Sequence, residues 1–272
     1  MKVKYFLEML IYLNLIEVVD SGAAVLFTFF LSATQPSLLP LILVMFSTFF
    51  LYGLNRINDV KEDRINSPER LNFWKRYGKK LIFIGSLLFI ISLTISAFNN
   101  IFSFILLLLP FLLVFSYSCF RLKRFLFIKN LIVATGWFTI PFFTATLMSS
   151  FSLSIILVCS IIIFFAVLIN TVIFDIKDIK GDEIHNIRTI SNVFGIHFAK
   201  KISYLLNILL SSFIIFVSLI YPKFIVFLFL PLFITAYVIK VNKSNAFFIS
   251  EYVANIDILL ILILSLVSVM IW

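Results

Sequence analysis

The chain has 272 residues, 62% of them hydrophobic, with a formal charge of +9 and a mean hydropathy of +1.14. Soluble domains are about 45–50% apolar, so this composition excludes an ordinary soluble domain and predicts an integral membrane protein. The basic residues flank apolar runs and do not gather on one soluble face, which argues against nucleic acid as a partner and for membrane lipid and phosphorylated substrates.

A hydrocarbon core takes about 20 apolar residues per helix. The chain offers nine candidate spans, at 9–31, 38–55, 80–98, 100–118, 129–149, 152–174, 198–220, 223–240 and 254–272. The start, MKVKYFLEMLIYLNLIEVVDSG, has a basic head, but Glu8, Glu17 and Asp20 interrupt its apolar run and no small-residue cleavage site follows cleanly. It predicts a first membrane helix, not a signal peptide. Glu17 and Asp20 either face a central cavity or mark a shifted register.

Short polar stretches, QPS at 35–37, FNN at 98–100, SSFS at 149–152 and YPK at 221–223, read as tight turns on one side of the membrane. All Lys and Arg residues except Lys223 then fall on the N-terminus or on the alternate connections. The positive-inside rule therefore predicts a cytoplasmic N-terminus and an external C-terminus. Two cysteines, Cys119 and Cys159, are too few for a disulfide framework and read as apolar fillers. His185 and His197, twelve apart, form no metal motif.

The second connection reads NRINDVKEDRINSPER at 55–70. Asn55, Asp59 and Asp63 are spaced i, i+4, i+8 and share a face if the second helix continues past the membrane edge. The sixth connection begins FDIKDIKGDEIHNIRTI, with Asp175, Asp178 and Asp182 at i, i+3, i+7. Clustered carboxylates repel unless a cation lies among them, and magnesium is a hard cation suited to carboxylate and phosphate oxygens. Singly, each stretch is equally an exposed loop neutralised by Lys61, Arg64, Lys177 or Lys180. Two such stretches, at equivalent helix ends on one membrane face, favour a site and suggest two pseudo-repeats within one domain, 1–272. Between them, at 115–137, FSYSCFRLKRFLFIKNLIVATGW brings Arg121, Lys123, Arg124 and Lys129 to the same face. These cations either follow the positive-inside rule or reach phosphate groups.

Three separated stretches resemble the UbiA-type intramembrane prenyltransferase family, over essentially the whole chain. That family's first motif is commonly Asn-Asp-x-x-Asp-x-x-x-Asp, then x-x-Asn-x-Pro-x-Arg; this chain has Asn55, Asp59, Asp63, Asn66, Pro68 and Arg70 in register. Its second is commonly Asp-x-x-Asp-x-x-x-Asp with a later Arg-Thr, matched by Asp175, Asp178, Gly181, Asp182, Arg188 and Thr189. The middle loop keeps Ser116, Arg121, Leu122, Lys123 and Arg124, and Asn130 with the following VATGW is also similar. Arg56 stands where the family usually has its first Asp, Ser118-Cys119 replaces Pro-Pro, and Glu17-Val18 lies near an expected Arg-Pro.

The resemblance implies an all-α integral membrane fold of nine helices around a central cavity capped by cytoplasmic-side loops. It implies attack of a hydrophobic, aromatic or other lipid-pathway acceptor on an allylic prenyl diphosphate. Two magnesium ions would sit among Asp59, Asp63, Asp175, Asp178 and Asp182. Lys123, with Asn55, Arg121, Arg70 or Lys177, would grip the diphosphate. Asn66, Asn130 and Arg188 would support the motifs, and the Phe-rich interior would shelter the prenyl tail and its cation from water. Two other readings stay open: a catalytically altered relative, because of Arg56, and a cation-coupled transporter using the Asp clusters as an ion site. Transporters usually place ionisable groups nearer the midplane.

Overall fold

The structure, a computed structural model, describes residues 8–119 and 125–271, and its secondary structure there is helical throughout. In chain order come α1 (Leu15–Leu31), α2 (Leu38–Asn58), α3 (Val60–Asn66), α4 (Pro68–Asn99), α5 (Ile101–Cys119), α6 (Ile128–Thr146), α7 (Leu153–Ile184), α8 (Ile190–Val193) and α9 (Ile196–Ile220). A 3-10 segment, Pro222–Leu228, leads into α10 (Phe229–Lys240). A short turn, Ala246–Phe248, and a π-helical turn, Ile249–Ala254, lead into α11 (Ile256–Ile271).

Among the described residues, six helical units are long and apolar enough to cross a membrane: α2, α4, α7, α9, Pro222–Lys240 and Ala246–Ile271. The chain is an integral membrane protein. The elements at the expected spans 9–31, 100–118 and 129–149 are α1, α5 and α6, which are not among those six. α1 is interrupted for a local reason. Asn14 adopts a left-handed backbone (φ 54°), a conformation Asn tolerates better than most residues, so a short helical turn at 8–12 stops there and α1 begins afresh at Leu15.

Two helices run past the membrane. α4 and α7 each have 32 residues, or about 48 Å at 1.5 Å per residue, against a hydrocarbon core of about 30 Å. The surplus is polar. Pro68, pre-set for the first helical position, starts α4, and the charged residues that follow continue it into the apolar span. In α7 the sequence DIKDIKGDEI extends the apolar span as one uninterrupted helix.

α7 is the central element. Its most apolar window is 78% buried, against 22% for α4, which faces outward. It packs on α6 and α9, and its ends also meet α1 and α3. Small residues bring the first helices together: a Cβ on Gly85 in α4 would lie 3.3 Å from the Phe50 Cα of α2. Such close approach is how helices associate where lipid supplies no hydrophobic drive. Buried polar side chains add ties: Asn207 Nδ2 donates to the Pro231 carbonyl at 2.9 Å, and Lys223 Nζ to the Leu31 carbonyl at 2.7 Å. Cys159 is a buried free thiol.

Candidate active site

The helices enclose a cavity of about 250 Å³, lined by side chains from α1 to α7, the π-turn and α11. One end is charged. Asp59, Asp63, Asp175, Asp178 and Asp182 all line it, with Asn55, Arg56, Asn66, Arg70 and Lys177. The other end is apolar, with Leu51, Leu106, Pro110 and Ile140, and has aromatic walls from Tyr52, Trp137 and Phe143. Trp137 Nε1 donates to Tyr52 Oη at 3.1 Å, which holds both rings across the cavity.

The first acidic stretch is not one helix. α2 ends at Asn58, Asp59 sits at the junction with φ −96° and ψ 20°, and α3 starts at Val60. The Asp59 amide still donates to the Asn55 carbonyl at 2.9 Å and the Asp63 amide to Asp59 at 2.8 Å. The turn therefore stays helical in its hydrogen bonding, which keeps Asn55, Asp59 and Asp63 on the cavity.

The two acidic stretches are stitched together by one side chain. Asn66 Nδ2 donates to the Asp178 carbonyl at 3.2 Å, and the Gly181 amide donates to Asn66 Oδ1 at 2.9 Å. A Cβ at residue 181 would fall 2.3 Å from Asn66 Nδ2. Gly181 is therefore what lets Asn66 reach the backbone of α7. A second stitch joins His185 Nε2 to the Lys61 carbonyl at 3.1 Å.

Several aspartates are already partnered. Arg70 Nη2 donates to Asp63 Oδ1 at 2.7 Å, with both side chains buried. Arg70 Nη1 lies 3.6 Å from Glu251 Oε1, which also accepts from Lys177 Nζ. Asp63, Arg70, Glu251 and Lys177 thus form a chain of alternating charge across α3, α4, the π-turn and α7. In the second stretch, Lys129 Nζ donates to Asp175 Oδ1 at 2.8 Å and lies 3.7 Å from Asp182 Oδ2. Asn130 Nδ2 donates to Asp175 Oδ2 at 2.9 Å. Arg56 donates from Nε to Asn14 Oδ1 at 3.0 Å and lines the cavity beside Glu17.

Among the remaining expected residues, Arg188 is exposed and does not line the cavity, Asn130 is buried behind Asp175, and Lys123 and Arg121 lie outside the described residues. Glu17 and Asp20 line the cavity, which settles the register of α1 in favour of a cavity-facing position. Sequence reasoning missed Glu251, and it took Lys129 only as one of four cations. The available signal was a carboxylate in an apolar C-terminal stretch, where an ionisable group marks a functional or paired position.

The donor chemistry suits a hard cation, since every candidate ligand is a carboxylate. Asp182 Oδ2 is buried with no hydrogen-bond partner among the described residues and faces the Lys129 ammonium at 3.7 Å. In the present arrangement, however, no three His, Cys, Asp or Glu side chains among the described residues stand close enough together to hold a metal.

Comparison with known proteins agrees with this geometry. Residues 21–251 match the model of the UbiA prenyltransferase family. A digeranylgeranylglyceryl phosphate synthase of Saccharolobus solfataricus is 29% identical over 202 residues, 72% of this chain and 71% of that protein. Two solved structures share the fold. One, concerned with digeranylgeranylglyceryl phosphate synthase in membranes, has a TM-score of 0.69 at 19% identity, covering 96% of this chain and 98% of the other. The second, a UbiA homologue from Archaeoglobus fulgidus bound to DMAPP and Mg2+, has a TM-score of 0.66 at 16% identity, covering 96% and 99%.

Proposed function

The chain belongs to the UbiA prenyltransferase family, and from that premise we propose that it transfers a prenyl group from an allylic prenyl diphosphate to a lipid-soluble acceptor within the membrane. The observation that carries this reading is one cavity with five aspartates at one end and an apolar, aromatic-walled space at the other. A diphosphate suits the first and a prenyl chain the second. The name of the Saccharolobus relative favours a prenylated glyceryl phosphate as acceptor over an aromatic ring. Family membership disfavours the cation-coupled transporter.

Magnesium would be held among Asp59, Asp63, Asp175, Asp178 and Asp182; a structural neighbour binds DMAPP together with Mg2+. When bound it supplies Lewis-acid neutralisation of the charge that grows on the departing diphosphate. The chain's own residues supply the rest. Arg56 and Lys129 place fixed positive charge on the cavity wall. On the sequence resemblance, Lys123 and Arg121, which lie outside the described residues, would add to the grip on the diphosphate. Arg70 and Lys177, both engaged by Glu251, act through the carboxylates they hold. Asn55 lines the diphosphate end, while Asn66 and Asn130 fix the backbone and carboxylate of α7. Tyr52, Trp137 and Phe143 present aromatic faces that stabilise an allylic cation without trapping it. The apolar wall keeps water from quenching that cation.

The finer architecture belongs to the same reading: one domain of two pseudo-repeats, nine membrane helices, a cytoplasmic-side cap over the cavity, and a cytoplasmic N-terminus. It is supported by the equivalent placement of the acidic stretches at the ends of α2 and α7 and by the sorting of basic residues. Incubation of purified protein with labelled geranylgeranyl diphosphate, magnesium and either acceptor class tests the function. Turnover is expected with the glyceryl phosphate. Asp59→Ala and Asp178→Ala are each expected to lower kcat by about 100-fold or more, the usual scale for losing a transition-state charge stabiliser. Unchanged turnover in both variants overturns the site.

A further inference from the structure

We infer that Glu17 and Asp20 hold the hydroxyl group of the prenyl acceptor, and that Glu17 takes its proton as the new ether bond forms. The inference rests on reading the cavity as a prenyl diphosphate site with a glyceryl phosphate acceptor.

Glu17 and Asp20 stand three residues apart on α1, so they share a face, and both line the cavity. Asp20 is only 3% exposed, yet its Oδ1 has no hydrogen-bond partner among the described residues, and neither has Glu17 Oε2. Carboxyl groups set in a membrane helix are costly, and they mark places that serve an ion or a substrate. Each of these two oxygens can accept a hydrogen bond that the protein does not supply. The missing donor is one that arrives with a ligand.

The place of the pair along the cavity identifies that ligand. Glu17 lies near enough to Arg56, a residue of the charged end, for their charges to interact. Tyr52, whose ring is held by Trp137 in the aromatic wall, lies equally within reach of the charges on Glu17 and Asp20. The pair therefore stands where the charged end meets the aromatic wall. With the diphosphate on one side and the prenyl chain on the other, the carbon that joins them falls at this junction. The acceptor's attacking group has to meet it there. A hydroxyl suits the place, because it donates a hydrogen bond to a carboxyl oxygen and keeps a lone pair for attack. Asp257 of α11 is the third carboxyl of the neighbourhood. It is fully buried and accepts from Tyr237 Oη at 2.8 Å, and it is not among the residues that line the cavity.

In the step itself the acceptor oxygen bonds to the first carbon of the prenyl chain. The bond from that carbon to the diphosphate oxygen breaks, and its electron pair leaves on the diphosphate. The hydroxyl proton passes to the Glu17 carboxylate, whose charge Arg56 offsets from the neighbouring helix. Asp20 keeps the hydroxyl aimed.

Turnover and binding are measured separately. Protein in nanodiscs is given labelled geranylgeranyl diphosphate, magnesium and the prenylated glyceryl phosphate, and ether formation is followed. Binding of the unreactive thiolodiphosphate analogue of geranylgeranyl diphosphate is titrated in parallel. Glu17→Gln is expected to lower kcat by about 100-fold, the lower end of what a general base contributes. Asp20→Ala is expected to raise the acceptor KM by about ten-fold, as for one lost hydrogen bond. Analogue affinity is expected to stay unchanged in both. Wild-type kcat and acceptor KM in both variants overturn the inference. So does analogue binding that weakens in step with turnover, which would place the pair at the diphosphate instead. Should the variants not fold, the wild type still decides: an acceptor analogue lacking the hydroxyl is expected to compete about ten-fold more weakly than the acceptor itself, and equal competition overturns the inference. Analogue binding without wild-type turnover overturns the proposed acceptor together with this inference. No analogue binding at all overturns the proposed function, and the inference falls with it.

Discussion

Asn66 is a single amide whose two ends both bond the backbone of α7, more than 100 residues further along the chain. Each such hydrogen bond contributes about 0.5–1.5 kcal/mol net, so Asn66→Ala is expected to cost about 1–3 kcal/mol. Gly181→Ala acts on the same contact from the other side, because its methyl would collide with the Asn66 amide. The sign of the second change depends on the first. In the wild-type background Gly181→Ala destabilises. In the Asn66→Ala background the collision is gone, and Ala is a better helix former than Gly by about 1 kcal/mol, so the same substitution becomes neutral or stabilising. Thermal melts of the four proteins in detergent measure this coupling. Additive losses would show that Gly181 and Asn66 do not share a contact.

At the scale of elements, the π-turn Ile249–Ala254 exists to place Glu251. π-turns inside helices recur at functional sites, and this one puts a buried carboxylate between Arg70 and Lys177. Removing one member of a buried ion network costs about 3–5 kcal/mol, so Glu251→Leu is expected to lower stability by that order. Glu251→Gln keeps the shape and removes the charge, which leaves two cations on the cavity wall less neutralised. Prenyl diphosphate binding is then expected to tighten by several-fold and to become more salt-sensitive, measured by titration at two ionic strengths. Weaker binding in Glu251→Gln would show that Glu251 helps to hold the substrate's cation instead. These elements also show what sequence reading reaches. The apolar runs marked α2, α4, α7 and α9 because hydrocarbon length imposes itself on composition, and the Asp spacings marked the charged wall of the cavity because helical periodicity is local. The break at Asp59, the left-handed Asn14, and the partners of Lys129 and Glu251 were not legible. The first two are local backbone conformations that side-chain spacing does not report; the partners depend on a tertiary approach between segments distant in sequence, and no local spacing encodes which carboxylate a lysine will meet.

For the whole molecule, the length of α7 separates its two ends by about 48 Å, more than the hydrocarbon thickness of about 30 Å, so they lie on opposite sides of a bilayer. Ser152 stands just before its first residue. Lys61 stands at the far end, where its carbonyl meets His185 just past the last residue of α7. If the chain crosses the membrane nine times as its sequence predicts, nearly all basic residues belong to connections on the Lys61 side, and Lys and Arg concentrate on the cytoplasmic face. The cavity's charged end would then open toward the cytoplasm, where a water-soluble diphosphate head is supplied. Single cysteines at Ser152 and Lys61, both exposed, are introduced after replacement of Cys119 and Cys159. In intact cells a membrane-impermeant maleimide is expected to label Ser152→Cys and to reach Lys61→Cys only after the membrane is opened. The reverse pattern would invert the topology and place the diphosphate end outside. Labelling of both in intact cells would mean that α7 does not separate two aqueous compartments, and the membrane placement of the central helix would have to be abandoned.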